Sequence, residues 1–203
     1  MTWIDLGSGL ESLRKPCEDS GLVYYSIDID PKFNPDMLAD ITTITHTDIK
    51  IQPFGVWFSP PCTCFSIASC STHWTEELPR KPKTQRAKDA LNIVTSGLDL
   101  IDALAPTYYF MENPRGMLRK LLPEQYIFEY RHTVTYCQYG DIRMKPTDIW
   151  TNNPHWTPRP MCKNGDPCHT PAPRGSKTGT QGLSAEEAGR VPYDLLMEIL
   201  RSC

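Results

Sequence analysis

The sequence of 203 residues predicts one α/β domain built on a mainly parallel β-sheet. Short runs rich in β-branched and aromatic residues alternate with helical patterns along the chain, which is typical of such sheets. Glycine-rich, proline-rich and acidic residues directly follow four of these runs. Because ligands of parallel sheets bind beyond the carboxyl ends of the strands, we expect the chemistry to be concentrated at one edge of the sheet.

The elements follow from the hydrophobic pattern and from the turn residues that end each run. The candidate strands are residues 3–6, 23–28, 55–59, 108–111, 133–136 and 148–151. The clearest amphipathic helix covers residues 84–104, where apolar residues recur at steps of three and four. Near the end of the chain, Ser184 opens a capping-box pattern and Pro192 is placed to begin a last helix.

Composition limits the class of protein. The net charge is -3, so a global basic field is absent and any contact with nucleic acid must come from local basic patches. No apolar run approaches the roughly 18 residues of a membrane helix, and the first residues do not resemble a signal peptide. We therefore expect a cytoplasmic protein without membrane contact. In that setting the eight cysteines favour metal ligands or a reactive thiol over disulfides.

The first candidate site is a glycine turn after the first strand. It comprises Asp5, Leu6, Gly7, Ser8 and Gly9. An acidic residue, Asp28, ends the next strand. Glycines let the backbone approach a ligand closely, and a carboxylate accepts hydrogen bonds from ribose hydroxyls, so the pair suits a nucleoside cofactor. A tight strand–turn without a ligand is the alternative, because the full G-x-G-x-x-G pattern is absent.

Two further candidate sites follow the third and fourth strands. Pro60 and Pro61 stiffen a turn that presents Cys62 at a strand end, where a thiol can act as a nucleophile. Glu112 follows an apolar strand, so its carboxyl group is expected to be desolvated and to act as a proton donor. The alternatives are a buried cysteine in a proline-rich turn and, for Glu112-Asn113-Pro114, a helix cap or turn.

Taken in order, these motifs resemble those of the cytosine-C5 methyltransferase family. Residues 139–145 look like the Gln-x-Arg-x-Arg segment of that family, with Asp141 and Lys145 at the positions of Gln and the second Arg. Residues 189–195 look like its C-terminal Gly-Asn-x-Val-Pro-x-x-Leu segment. The resemblance covers residues 1–150 and 184–201.

The resemblance implies a Rossmann-like S-adenosylmethionine-dependent methyltransferase fold and a covalent mechanism on a cytosine flipped out of DNA. Cys62 would be the nucleophile, Glu112 would hold the N3/N4 edge of the base, and Arg143 or Lys145 would hold its O2 side. The cofactor S-adenosyl-L-methionine would contact Asp5, Leu6, Gly7, Ser8, Gly9, Asp28, Ile29, Asp40, Ile41 and Pro60. The substrate would contact Pro61, Ser66, Asn113 and Pro114.

A basic segment between Cys62 and the long helix is expected to contact phosphates of the substrate. It contains Arg80, Lys81, Lys83 and Arg86. A solvated basic face ahead of a helix is the alternative interpretation.

The chain departs from the family in lacking room for a target-recognition domain. We divide it into a catalytic and cofactor-binding core (residues 1–145), a Pro-rich Cys/His insert (146–183) and a C-terminal helix that returns to the core (184–203). In the insert, Cys162, Cys168 and His169 offer three ligands for zinc, with His155 or Cys137 as a fourth, although free thiols remain an open alternative. The basic residues of the insert, which would contact DNA, are Arg159, Lys163, Arg174 and Lys177.

Three hypotheses about function remain. The first is a compact, monomeric DNA cytosine-C5 methyltransferase with short or relaxed specificity, of a bacterial host or a phage. The second keeps the chemistry but has RNA or a free nucleotide as substrate, which suits the acidic net charge. The third is a non-catalytic nucleic-acid-binding module on the same fold, suggested by the loosened segment at residues 141–145.

Overall fold

The computed structural model describes residues 1–122, 130–172 and 182–203. Its strands are β1 (Thr2–Leu6), β2 (Val23–Asp28), β3 (Met37–Leu38), β4 (Gly55–Phe58), β5 (Tyr108–Pro114), β6 (Tyr130–Thr135) and β7 (Pro146–Thr151). Its helices are α1 (Arg14–Asp19), α2 (Cys70–His73), α3 (Gln85–Leu104), α4 (Ala185–Gly189) and α5 (Tyr193–Arg201).

The described strands form one sheet in the order β3-β2-β1-β4-β5-β7-β6. β7 is antiparallel to both of its neighbours, and the pairs among the first five strands are parallel. The prediction of an α/β domain with a mainly parallel sheet is therefore confirmed. The carboxyl ends of β1, β4 and β5 lie side by side, so the residues that follow these strands share one edge of the sheet.

Large apolar residues occur as adjacent pairs in the central strands, and each pair serves both faces of the sheet. Trp3, Trp57 and Phe110 belong to one apolar cluster, together with residues of α1 and α5. The next residue in each strand, Ile4, Phe58 or Met111, belongs to a second cluster with residues of α3. Because successive side chains of a strand point to opposite faces, this pattern buries the sheet between two helical layers.

α3 is the long helix that the periodicity predicts. The Thr84 side chain caps it by accepting a hydrogen bond from the Ala87 backbone N–H at 3.2 Å. At Gly97 a Cβ atom would lie 2.3 Å from Cζ of Phe58, so the absent side chain lets the helix approach β4 closely. The packing of α3 against Phe58 thereby positions the end of β4, which the Pro60–Pro61 turn follows.

Residues 146–151, which we assigned to the insert, form β7 inside the sheet. Most of the strand is buried, so its apolar and polar residues stabilise the core rather than an appendage. The described part of the insert therefore begins after Thr151; Arg174 and Lys177 lie outside the described residues. Between residues 152 and 172 the structure has neither helix nor strand.

The buried indole of Trp156 anchors this segment, packing edge-on against Phe110 with ring centroids 5.8 Å apart. None of the helices in the described ranges is long and apolar enough to cross a membrane.

Candidate active site

Two adjoining cavities open at the carboxyl edge of the sheet, with volumes of about 710 and 400 Å³. Both are lined by Gly7, Ser59, Pro60 and Pro61, so they lie on either side of one shared wall. The predicted residues that line the larger cavity are Asp5, Gly7, Ser8, Gly9, Pro60, Pro61, Cys62, Glu112, Pro114, Arg143 and Lys145. Those that line the smaller one are Gly7, Asp28, Ile29, Asp40, Ile41, Pro60 and Pro61.

The glycine turn after β1 is built to bring backbone close to these cavities. Gly7 has a φ of +67°, and a Cβ atom there would lie 3.2 Å from the Ser59 carbonyl oxygen. Gly9 donates its backbone N–H to Asp28 Oδ2 at 2.8 Å, which fixes the turn against the end of β2. The Ser8 hydroxyl is buried without a hydrogen-bond partner among the described residues. A buried hydroxyl costs free energy unless it is paired, so this atom favours a polar ligand in the cavity.

Asp5 lies beneath the turn, at the end of β1. Its carboxylate accepts a hydrogen bond from the Tyr24 hydroxyl at 2.9 Å. Burial raises the pKa of Asp5 to about 7, although the bond from Tyr24 opposes the rise. Leu6, which we also assigned to the cofactor, is fully buried in the apolar core and lines neither cavity.

Cys62 is exposed and lines the larger cavity, directly after the Pro60–Pro61 turn. The surrounding walls still desolvate the thiol, and this burial raises its pKa. The negative charge of Glu112 adds to the rise, whereas the positive charge of Lys145 opposes it. The positive charge of Lys145 therefore does not outweigh desolvation of the thiol in the free protein.

Glu112 is 6% exposed and lies within β5. The sequence pattern instead predicts that it lies just after a strand. Burial raises the pKa of its carboxyl group, while Lys145 and a hydrogen bond from Tyr136 lower it. Tyr136 donates that bond to Oε1 at 2.8 Å. Lys145 Nζ lies 4.5 Å from the centre of the Tyr136 ring. Burial also lowers the pKa of Lys145, and the charge of Glu112 opposes this shift.

Arg143 and Lys145 tie the cavity to the C-terminal segment. Arg143 Nη1 and Lys145 Nζ both donate to the Ala188 carbonyl oxygen, at 3.0 and 2.9 Å. The guanidinium of Arg143 also pairs with Asp141, with Nε 2.9 Å from Oδ1. Arg143 is 5% exposed, and these bonds hold its guanidinium in the wall of the larger cavity.

Some predicted substrate residues lie outside both cavity linings. The Ser66 hydroxyl accepts from the Ser69 N–H at 3.2 Å and so caps a short turn. Asn113 is fully buried; its Nδ2 donates to the Pro60 carbonyl oxygen at 3.1 Å, which pins the turn that carries Cys62. Both residues therefore support the site from outside the cavity.

The four basic residues after Cys62 likewise lie outside the cavity linings. The segment folds back on itself, because Thr75 N–H donates to the Lys81 carbonyl oxygen at 2.9 Å. Arg80 is half-buried, and its Nη1 donates to the Thr75 carbonyl oxygen at 2.9 Å. The buried Trp74 holds the base of this loop, while Lys81, Lys83 and Arg86 are exposed.

The metal-binding residue types of the insert do come together. Cys162, Cys168 and His169 lie with Cys137, and their ligand atoms are all within 4.8 Å of one another. Cys137 is thus the fourth member, and His155, the other candidate, is not part of the group. The His155 backbone N–H instead donates to Asn153 Oδ1 at 2.8 Å.

Sequence reasoning missed Tyr136, Tyr24 and Ser59. Tyr136 follows β6, two strands away from the strand that carries Glu112, and only the antiparallel placement of β7 brings the two residues together. No local pattern marks Tyr24 or Ser59. The Trp57 indole donates to the Ser59 hydroxyl at 2.7 Å, which fixes the wall between the two cavities.

The sequence matches no protein-family model and no curated protein. Among solved structures, the chain is similar to a prophage-encoded protein of Escherichia coli named as a DNA modification methyltransferase. The TM-score is 0.51 at 15% identity, and the match covers 74% of this chain and 46% of that one. A methyltransferase of Entamoeba histolytica gives a TM-score of 0.50 at 18% identity, over 74% of this chain and 52% of that one. The chain thus spans about half the length of these proteins, and it has their methyltransferase fold.

Proposed function

We propose that the protein transfers a methyl group from S-adenosyl-L-methionine to C5 of cytosine in DNA, with short or relaxed sequence specificity. The observation that carries the proposal is that Cys62, Glu112 and Lys145 face one cavity that also contains the glycine turn. A nucleophile, a desolvated acid and a cation therefore meet at one edge of the sheet. Nucleophilic attack on C6 of a pyrimidine requires these groups.

The described residues fit the proposed cofactor. The two adjoining cavities are within the size range of small-molecule sites, and the unpartnered Ser8 hydroxyl and the Gly7 turn face the larger one. Asp28 and Asp40 line the smaller cavity, where carboxylates can accept hydrogen bonds from ribose hydroxyls. When bound, S-adenosyl-L-methionine supplies an electrophilic methyl group on its sulfonium.

The proposed chemistry uses Cys62 as the nucleophile. The Cys62 thiol loses its proton to solvent, and the thiolate adds to C6 of cytosine while Glu112 donates a proton to N3. C5 then accepts the methyl group that the cofactor would supply, and S-adenosyl-L-homocysteine would be left. A water molecule removes the C5 proton, N3 returns its proton to Glu112, and the bond between Sγ and C6 breaks, so that aromatic 5-methylcytosine leaves. Because burial raises the pKa of Glu112, its carboxyl group keeps the proton that this step needs to a higher pH than an exposed glutamate does.

DNA is the proposed partner, and a duplex substrate has to present its cytosine flipped out, at a cost of a few kcal/mol. The exposed side chains of Lys81, Lys83 and Arg86 support phosphate contacts beside the cavity that contains Cys62. We further propose that the protein acts as a monomer in the cytoplasm of a bacterial or phage-infected cell.

Transfer of labelled methyl groups to cytosine-containing DNA tests the proposal. We expect label in DNA as 5-methylcytosine, no label with Cys62→Ala, and full label with Cys70→Ser, a cysteine outside both cavity linings. Parallel reactions with RNA and with free cytidine nucleotides separate the acceptors, because only polynucleotide binding weakens steeply with salt. Binding of the cofactor without label in any acceptor would contradict methyl transfer and support a binding module.

A further inference from the structure

Four side chains that can bind a metal ion lie beside the proposed active site, and the methyl-transfer chemistry uses none of them. Cys137 belongs to the turn that follows β6, whereas Cys162, Cys168 and His169 belong to the insert. The four ligand atoms come from three separate stretches of chain, and all lie within 4.8 Å of one another. Such convergence is not a consequence of adjacent sequence positions.

The distances match those of a tetrahedral metal site. With Zn–S near 2.3 Å and Zn–N near 2.0 Å, ligand atoms on a tetrahedron lie about 3.5–3.8 Å apart. Cys168 Sγ is 3.6 Å from Cys137 Sγ, and His169 Nδ1 is 3.7 and 3.8 Å from the sulfurs of Cys168 and Cys162. The sulfurs of Cys137 and Cys162 are 3.0 Å apart and would have to separate by about 0.8 Å.

Backbone geometry supports this arrangement. The Cys162 backbone N–H donates to the Thr135 hydroxyl at 3.0 Å, which holds Cys162 against the end of β6. Between the ligands Cys162 and Cys168, the chain makes a tight turn in which the Lys163 N–H donates to Asp166 Oδ2 at 2.6 Å. Gly165 has a φ of +95° in this turn, a conformation that suits glycine. The turn returns the chain so that both sulfurs face the same point.

We propose that Cys137, Cys162, Cys168 and His169 bind one Zn²⁺ in a closed, structural site. Three thiolates and one imidazole are the donor set that zinc prefers in structural sites, where four protein ligands leave no open position for chemistry. On binding, the three thiols release their protons to solvent, and His169 coordinates through Nδ1.

The site has a consequence for the neighbouring cavity. His169, Thr170 and Pro171 line the cavity that contains Cys62. Residues 152–172 contain neither helix nor strand, and the Thr170 backbone N–H joins this wall to the Ile142 carbonyl oxygen at 2.8 Å. The metal would join the wall to the turn after β6, which also carries Tyr136, the partner of Glu112. Zinc would therefore stabilise this wall of the cavity.

Metal analysis of the reduced full chain tests the proposal. We expect about one zinc per chain in the unaltered protein, and a loss of about tenfold or more in affinity with Cys168→Ser, whose side chain is exposed and whose loss leaves the core intact. Cys70→Ser and His155→Ala are the controls and should retain zinc. Circular dichroism shows whether each variant keeps its fold.

Cobalt substitution gives a second readout on the unaltered protein. Co²⁺ bound by thiolates in tetrahedral geometry has intense sulfur-to-metal charge-transfer bands and visible d–d bands, which Zn²⁺ should abolish by displacement. Removing the metal with a chelator should increase hydrogen exchange at residues 162–172 more than at β1 or β4.

An absence of bound zinc in reduced protein, or equal zinc in Cys168→Ser and the controls, would overturn the proposal, as would isolation of a disulfide between Cys137 and Cys162 under reducing conditions. These readouts need no methyl transfer, so the zinc site and the proposed function can fail separately.

Discussion

The Tyr136 hydroxyl donates a 2.8 Å hydrogen bond to Oε1 of the buried Glu112 carboxyl group. The bond stabilises the charged carboxylate and lowers its pKa, against the rise that burial causes. It also holds one carboxyl oxygen of Glu112 in place. Tyr136 is therefore a positioning residue for the acid of the proposed reaction.

Replacement of Tyr136 by phenylalanine should alter the pH dependence of methyl transfer. Without the hydrogen bond, which stabilises the charged form, the pKa of Glu112 rises further. Because the proposed reaction needs protonated Glu112, its activity falls as pH rises through that pKa. The high-pH limb of the kcat profile should therefore move to higher pH in Tyr136→Phe.

Tyr139→Phe is the matched control, since that hydroxyl donates to Glu198 at 3.0 Å and not to a group of the cavity. An unchanged limb in Tyr136→Phe, or an equal shift in the control, would show that the bond does not act through Glu112.

The reactivity of Cys62 should depend on its two charged neighbours in opposite directions. Lys145 lowers the pKa of the thiol and Glu112 raises it. Above the pKa of Glu112, where its carboxylate is charged, alkylation of Cys62 by iodoacetamide should slow roughly threefold in Lys145→Gln and accelerate roughly threefold in Glu112→Gln. Mass spectrometry of the Cys62 peptide measures the rates, with the Cys70 peptide as internal reference. Changes of the same sign in both variants would contradict the electrostatic account.

The glycine turn provides a test of the cofactor site with a matched control. Gly7 and Gly21 share a φ of +67°, but only at Gly7 would a Cβ atom contact a neighbour, the Ser59 carbonyl oxygen at 3.2 Å. Alanine at either position should cost about 1–2 kcal/mol of folding stability through backbone strain. Only Gly7→Ala should weaken S-adenosyl-L-methionine binding, by about tenfold or more in calorimetry. Equal affinities in the two variants would place the cofactor elsewhere.

Because of Asp5, the free energy of unfolding should decrease as pH rises. Burial raises its pKa to about 7 in the folded state, against about 3.9 when unfolded. The folded state therefore binds the proton more tightly, and its stability falls as pH rises from about 4 to about 7. Asp5→Asn should flatten this part of the profile, by at least about 1.4 kcal/mol between pH 5 and pH 8. Urea unfolding at several pH values measures the effect, and a wild-type slope in the variant would contradict it.

The elements with strong local signals were predictable, and those held by tertiary contacts were not. β2 begins and ends where the sequence pattern predicts, because Val23–Asp28 is a β-rich run between turn residues. β3 has only two residues, Met37–Leu38, too few for a periodic signal, and it exists through its pairing with β2.

The candidate site divides in the same way. Cys62 and Glu112 were found because their neighbours in sequence mark strand ends. Tyr136 reaches Glu112 through the sheet order, and Arg143 reaches Ala188 through folding of distant segments, so neither contact leaves a trace in local sequence. Of the two candidates for a fourth ligand, only the fold distinguishes Cys137 from His155.

The covalent role of Cys62 is the central claim, and trapping with 5-fluorocytosine tests it most directly. A DNA oligonucleotide that carries this base, incubated with the protein and S-adenosyl-L-methionine, cannot lose its C5 substituent as a proton. We therefore expect a stable protein–DNA complex, with the base attached to the Cys62 peptide in mass spectrometry, and no complex with Cys62→Ser. A folded, cofactor-binding wild-type protein that forms no adduct, or an adduct at another residue, would contradict the account.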